Sequence, residues 1–158
     1  NPHNQAEKHN LRYDPNTMCL NCHETKRMDF GKLSHHPLDL ADPRSGMLCV
    51  DCHNPHGGEG RSMLAAPQEE LCLTCHVDKK GPFVFPHPAI EPELGQGCAT
   101  CHLSHGSNTP DLLKLSGRGL CMQCHNDRAL HFQGQTCWTS GCHTELHGSN
   151  ENFFFFDR

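Results

Sequence analysis

The residues that could do chemistry in this chain are its Cys and His, which number 12 and 15 in 158 residues. The Cys fall into six pairs, and a His follows each pair directly. Five pairs have two intervening residues, and the sixth has four. The six groups are Cys19/Cys22/His23, Cys49/Cys52/His53, Cys72/Cys75/His76, Cys98/Cys101/His102, Cys121/Cys124/His125 and Cys137/Cys142/His143.

The spacing C-x-x-C-H is the attachment sequence of c-type haem. The two thiols add to the two vinyl groups of the porphyrin, and the adjacent His becomes the proximal ligand of the iron. A wider C-x4-C-H loop can still span both vinyls. The sequence therefore predicts six covalently attached haems, with all 12 Cys as attachment sites and the six following His as proximal ligands.

Paired Cys have three other common uses. A single C-x-x-C can be half of a zinc site or a redox dithiol, and paired Cys can form a disulfide framework. None of these explains why a His follows every second Cys. For the sixth pair alone, a local disulfide remains the alternative.

The haem motifs form a repeat. Each repeat contains a haem motif, a variable stretch with a central His, a second haem motif and a closing His-Gly. The repeats cover residues 19–57, 72–106 and 121–148, and successive repeats start 53 and 49 residues apart, a period typical of arrays built from one module. We expect a single hexahaem domain over residues 1–158, with an N-terminal arm (1–18) and a Phe-rich C-terminal tail (149–158).

The repeat also predicts a second axial ligand for each iron. Six of the nine remaining His occupy equivalent central or closing positions, which matches six open axial sites. His56 lies three residues after His53, and three residues reach only about 10 Å, so such a closing His must ligate a neighbouring haem. The predicted distal ligands are His36, His56, His87, His105, His131 and His147, with His35, His9 or His3 as substitutes.

The composition predicts an unusual core. Only 35% of the residues are hydrophobic and there is one Trp, so a bulky cofactor must fill the interior. The sequence is rich in Pro and Gly turns, and we expect short helices, including one over 66–75, and coil wrapped around closely packed haems. No apolar run could span a membrane, and the formal charge of −5 disfavours nucleic acid as a partner.

The doubled haem unit, closed by C-x-x-C-H-x-x-H-G, resembles the multihaem cytochromes of periplasmic electron-transfer chains. The segment Cys-Trp-Thr-Ser-Gly-Cys-His-Thr-Glu-Leu-His-Gly-Ser-Asn (137–150) is similar to the C-terminal haem segment of the decahaem cytochromes of porin–cytochrome conduits. The pentahaem electron donors of nitrite reduction are similar in style, and the filament-forming extracellular cytochromes are more distant. The resemblance implies low-potential, bis-His haems that pass electrons to redox partners, and docking to an outer-membrane porin.

The functional expectation is electron transfer in anaerobic or extracellular respiration. The alternatives are a subunit of a conducting filament, in which the partner is another copy of the chain, and a haem reductase with one open axial site. Thioether attachment takes place outside the cytoplasm, so we expect an exported protein of the periplasm or cell surface, in its mature, cleaved form. The segment Phe153–Phe156 is expected either to cover the last haem or to form a docking patch.

Overall fold

The computed structural model describes residues 11–38, 46–58, 62–91 and 96–156, and it contains only short elements. The α-helices are α1 (Pro15–Leu20), α2 (Glu24–Asp29), α3 (Cys49–Cys52), α4 (Gln68–Cys75) and α5 (Arg118–Cys121). Single 3-10 turns cover Val77–Lys79, Pro88–Ile90, Gly97–Thr100, Pro110–Leu112 and Asn126–Arg128. The expectation of short helices and little sheet is confirmed, and the helix expected over 66–75 is α4.

Four strands of two residues each form two small antiparallel sheets in the described segments. β1 (Ser34–His35) pairs with β3 (Gly106–Ser107), and β2 (Phe85–Pro86) pairs with β4 (Gly148–Ser149). The registers are equivalent, since Ser34 opposes Ser107 and Phe85 opposes Ser149. In both sheets, the Gly-Ser strand that directly follows a closing His pairs with the strand that leads into a central His. The residue after β1 is His36 and the residue after β2 is His87, so these two His occupy equivalent positions.

Every haem motif is closed by the same backbone hydrogen bond. The amide of the His donates to the carbonyl of the first Cys in all six motifs, at 2.9–3.1 Å. In the wider sixth motif, His143 still reaches the carbonyl of Cys137, at 2.9 Å. The two extra residues are absorbed by a turn in which Gly141 donates to Trp138 and adopts a φ of 78°, a conformation that Gly adopts without strain.

The first two haem motifs are joined through one buried polar side chain. Asn16 of α1 is 2% exposed, and its amide donates to the carbonyls of Leu38 and Met47, at 3.4 and 3.0 Å. Its side-chain oxygen accepts from the amide of Cys49, the first residue of α3, at 2.8 Å. A buried amide whose donor and acceptor are both satisfied fixes the relative position of the segments it bridges.

The described residues contain almost no hydrophobic core. Leu38 is the one buried hydrophobic side chain among them. Ser107 and Ser149, which follow the closing His-Gly, are 3% and 1% exposed, and each accepts backbone amide hydrogen bonds just downstream. Apolar side chains that would normally form a core, such as Leu33 and Leu130, are 74% and 81% exposed. This matches the expectation that the protein's own side chains do not fill the interior.

The chain divides into two compact units. The first contains residues 1–67 and 104–112, and the second contains residues 68–103 and 113–158. Each compact unit holds one of the two sheets. The single hexahaem domain over 1–158 stays a prediction. Across the described segments, no helix is long and apolar enough to cross a membrane.

The sheet in the first compact unit depends on a close backbone approach. A Cβ on Gly106 would collide with the backbone carbonyl of Asp29, the last residue of α2. Because backbone cannot move aside as a flexible side chain can, only Gly allows β3 to lie against α2. The neighbouring His105 is therefore placed by this contact.

Asn16→Ala should lower the free energy of unfolding of the haem-loaded protein by about 2–3 kcal/mol, because three hydrogen bonds are lost and a buried amide and two carbonyls lose their partner. Chemical denaturation followed by Soret absorbance measures this. Asn108→Ala, at an exposed Asn of the same compact unit, is the control and should change stability by less than about 0.5 kcal/mol. Equal effects of the two changes would contradict the proposed bridge.

Gly106→Ala should displace β3 from α2 and move His105, so that one iron per chain loses a ligand in part of the population. The measurement is the high-spin fraction in the electron paramagnetic resonance spectrum of the oxidised protein. Gly46→Ala is the matched control, because a Cβ at Gly46 meets no heavy atom within 4 Å. A spectrum of Gly106→Ala identical to that of the control would refute the close-approach argument.

Candidate haem-binding sites

None of the 12 Cys, all of which lie in the described residues, forms a disulfide. This includes Cys137 and Cys142, for which a local disulfide was the alternative. The first Cys of each pair is partly buried at the end or inside of a short helix or turn, and the following His emerges at its end. Two thiols and an imidazole therefore converge on each motif, as thioether attachment requires.

Attachment sites of consecutive motifs lie side by side. Cys49 and Cys19 are hydrogen-bonded through their side chains, and burial followed by this neighbour raises the pKa of Cys49 to about 11. Cys121 has the same relation to Cys137, and its pKa is raised to about 11 by burial and then by that hydrogen bond. The edges of the first and second porphyrins, and of the fifth and sixth, would therefore be close together.

The fourth and fifth motifs are also neighbours. Burial is the main cause that raises the pKa of Cys101, and the charge of the nearby Cys124 raises it further. Cys101 belongs to the fourth motif and Cys124 to the fifth. Within the second compact unit, the fourth, fifth and sixth attachment sites thus form a continuous series.

Among the described residues, three pairs of imidazole rings face each other with almost parallel planes. The ring centroids of His53 and His105 are 6.0 Å apart at an angle of 15°. Those of His87 and His125 are 6.2 Å apart at 14°, and those of His102 and His147 are 6.2 Å apart at 12°. Each pair joins one predicted proximal ligand to one predicted distal ligand.

This separation suits two ligands on opposite faces of one iron. A metal–imidazole bond is about 2 Å long, and the ring centroid lies about 1 Å beyond the ligating nitrogen. Two axial imidazoles therefore have centroids about 6 Å apart. Offset ring stacking can also give such distances, but it does not explain why every pair combines a His of a haem motif with a His from the central or closing position of a different repeat.

His23 and His76 belong to none of these three pairs. Their predicted role as proximal ligands is supported by the backbone geometry of their own motifs. Each amide donates to the carbonyl of the first Cys of its own motif, at 3.0 Å. His23 then caps the start of α2, and His76 caps the turn Val77–Lys79. Both residues are exposed, whereas an iron ligand is expected beside a porphyrin. Each stands at the junction of two short helical segments, and its proximal role stays a prediction.

Hydrogen bonds orient the central His. Nδ1 of His36 donates to the carbonyl of Ser104 at 2.6 Å, and His87 is hydrogen-bonded to the backbone of Leu146. Ser104 and Leu146 are the residues directly before the closing His105 and His147. An imidazole that donates from Nδ1 carries its lone pair on Nε2, which makes Nε2 the metal-binding atom. The equivalence favours His36 over His35, whose Nδ1 is bonded to the adjacent His36 carbonyl.

Proximal His are held in the same way by a downstream segment. Nδ1 of His53 donates to Ser62 at 2.7 Å, and Nδ1 of His143 donates to Phe154 at 2.6 Å. The next residue in each segment, Met63 or Phe155, has a positive φ of 48° or 60°. Its carbonyl accepts from the amide that follows the His, at 2.7 and 2.9 Å.

The Phe-rich tail is therefore part of the last haem motif. Phe156 packs on His143 with ring centroids 5.0 Å apart, and Phe155 contacts His87 edge-on at 5.4 Å. These contacts favour the interpretation that the tail covers the last haem. Phe153 and Phe154 are 67% and 59% exposed, and a docking role for them stays a hypothesis.

Burial suits the three inward-facing distal candidates to bind metal. Desolvation lowers the pKa of His87, His105 and His147 from the ordinary value, and the charge of the opposing motif His lowers it further in each case. A lowered pKa favours the neutral imidazole, which is the form that ligates iron.

Two lysines flank Asp29 near His105. Lys26 and Lys32 lie 3.1 and 2.6 Å from the carboxylate of Asp29, and the hydrogen bond from Lys32 is the main cause that lowers the pKa of Asp29.

The structure does not place every predicted distal ligand opposite a motif His. Within the described part of the chain, no facing ring pair includes His56, which is exposed, or His131, whose ring contacts Phe132 at 4.8 Å. His3 and His9 lie outside the described residues. No group of three or more His, Cys, Asp or Glu within the described segments is arranged to hold a metal ion, whereas a structural zinc site needs four such ligands.

Two features of the site were missed from the sequence. The first is the guanidinium of Arg118. It hydrogen-bonds to the backbone of the segment around His131, and no sequence motif indicates this role. The second is a constant spacing, since the second and third motifs, and the fourth and fifth, each begin 23 residues apart, from Cys49 to Cys72 and from Cys98 to Cys121. The spacing was visible in the sequence and marks the most regular element of the array.

The comparison with known proteins divides the chain around the same two 23-residue spacings. The model of the doubled CXXCH motif family matches residues 35–81 and 91–130, and each match contains one of the two 23-residue spacings. A 74-residue stretch is 40% identical to the multiheme cytochrome MtrA of Shewanella baltica (strain OS185), covering 46% of this chain and 21% of that protein. The aligned part is thus about a fifth of the relative's length.

The family match covers more than half of the chain, and the resemblance to multihaem cytochromes is confirmed. The motifs, the opposed imidazoles and the family agree on the cofactor and the class of chemistry. The chain belongs to the doubled CXXCH motif family and is a multihaem c-type cytochrome, an electron-transport protein that binds haem iron.

Proposed function

We propose that this protein conducts electrons between redox partners through six bis-His c-type haems. The observation that carries the proposal is the set of three opposed imidazole pairs, each with the centroid separation that one iron requires. When bound, haem supplies a one-electron Fe(III)/Fe(II) couple. The chain's part is to tether each porphyrin, supply two axial imidazoles and keep neighbouring haems close.

The pairs also indicate which iron each distal His serves. His105 would ligate the iron of the second motif through the face opposite His53. His147 would do the same opposite His102, and His87 opposite His125. In every case the distal ligand comes from a neighbouring repeat, so each pair joins two repeats through one iron. The equivalence of His36 with His87 supports a distal role for His36 as well.

The count of six rests on the sixth motif. Its closing hydrogen bond matches that of the other five, its thiols are unbridged, and Phe154 and Phe156 enclose His143. Three two-haem repeats describe the array as read from its first motif. The family matches start half a repeat later, because a periodic array has no unique starting point.

Electron transport, rather than substrate turnover, follows from axial closure. A haem enzyme needs an axial position that is open or weakly held, and two opposed imidazoles would close both positions of a haem bound between them. Covalent haem attachment supports export to the periplasm or cell surface. The partners would be other redox proteins there, among them the components of a porin–cytochrome conduit.

His105→Ala and His147→Ala should each convert one haem per chain to a five-coordinate, high-spin form without loss of covalent haem, because the proximal His and thioethers remain. The measurement is the amount of CO bound by the reduced protein, which should rise by one equivalent per chain. His35→Ala is the control and should bind no additional CO. Unchanged CO binding by both ligand variants would contradict the assignments.

Conduction along the array is tested by removing one haem. Cys98→Ala with Cys101→Ala removes a haem from the middle of the series, and Cys19→Ala with Cys22→Ala removes one from its beginning. Both variants keep five haems. With the protein held on an electrode through a biotinylated C-terminus, fast voltammetry should reach nearly all remaining haems after the terminal loss but only part of them after the middle loss, because tunnelling falls steeply with distance. Equal fractions in the two variants would overturn the proposal of a linear conductor.

A further inference from the structure

The third repeat differs from the other two in the length of its central stretch. Its motifs begin only 16 residues apart, from Cys121 to Cys137, against 30 and 26 in the first and second repeats. Its central His131 lies six residues before Cys137. In the second repeat, by contrast, the central His87 lies 11 residues before Cys98 and faces a motif His of the third repeat.

The short central stretch is organised by Arg118. The guanidinium of this residue donates to five backbone carbonyls, those of Arg128, Ala129, His131, Phe132 and Gln135, at 2.7–3.4 Å. Nη1 donates to three of these carbonyls and Nη2 to two, so at least one N–H is shared between acceptors. The planar fork that allows this has no counterpart in Lys. The shortest of these bonds is to the carbonyl of His131 itself, at 2.7 Å. The loop thus winds around one cation, and the position of His131 depends on it.

The same loop lies next to the sixth haem motif. One small cavity is lined by residues of both the loop and the motif, among them Arg118, His131, Phe132, Cys137, Cys142 and His143. His131 is thereby next to both thiols that would bind the sixth porphyrin. The six residue steps from His131 to Cys137 can span up to about 20 Å, which would be sufficient for the imidazole to reach the porphyrin face opposite His143.

We propose that His131 is the distal ligand of the sixth haem, whose proximal ligand is His143, and that Arg118 is the positioning residue that presents it. The third repeat then supplies both ligands of its last iron, and its central His does not ligate an iron of another repeat. This inference rests on the proposed bis-His function and assigns one ligand within it. The sixth haem would then take no part in the exchange of ligands between repeats.

The test of the ligand uses His131→Ala. We expect full covalent haem content, one additional five-coordinate haem per chain, one additional equivalent of bound CO, and reversal by added imidazole. In a background that lacks the sixth haem (Cys137→Ala with Cys142→Ala), His131→Ala should add no five-coordinate haem. His131→Met, which keeps a ligand of similar reach, should restore six-coordination with an altered potential for one haem.

Two results would overturn this assignment. One is a His131→Ala protein in which every iron stays six-coordinate. The other is a five-coordinate haem that persists when the sixth haem is absent, since His131 would then serve a different iron. Failure of the broader function would look different, because the unmodified protein would itself show an open axial site.

The positioning role is tested with Arg118→Ala and Arg118→Lys. Both should raise the five-coordinate fraction, the Ala variant more, and imidazole should reverse the change. Arg128→Ala is the matched control, since the Arg128 side chain is exposed and pairs with the exposed Asp127. An Arg118→Ala protein that is less stable but has the control's spin state would show that Arg118 only stabilises the loop, and would refute the positioning role.

Discussion

The rest of the structure depends on one constraint. Two imidazole rings face each other at the distance that a single metal ion between them would require. Each pair brings together a His tethered next to two Cys and a His from a distant segment, such as His53 and His105. An iron bound between them would fix both segments at once, and the covalent porphyrin would fill the space beside them. The protein needs no extended helix or sheet for this, because its long-range contacts converge on the ligands.

The polar and backbone contacts place those ligands. Carbonyls accept from Nδ1 of the predicted ligand rings, as Phe154 does from His143, and the two-residue sheets set the register of the central and closing His. Gly106 and Asn16 allow close approaches that a larger or apolar side chain would prevent. With Leu38 as the one buried hydrophobic side chain among the described residues, burial against haem must replace a conventional core.

Much of this arrangement could be predicted from the sequence, because covalent chemistry dictates residue type and spacing. The attachment motifs, the short helices and the lack of a side-chain core follow from Cys and His spacing and from composition. The pairing of His87 with His125 could not be predicted, since spacing excludes a ligand that is too near but does not choose among distant ones. The choice between His35 and His36 depended on the strand register. The role of Arg118 is visible only in the folded loop, because one guanidinium bound to carbonyls leaves no periodic pattern in the sequence.

The central claim is that every iron is closed by two His. The most direct measurement is the near-infrared magnetic circular dichroism of the oxidised protein, quantified against haem content per chain. We expect six haems, all low-spin and all with the bis-His charge-transfer signature. A high-spin haem, a His–Met signature or fewer than six haems in the unmodified protein would contradict it.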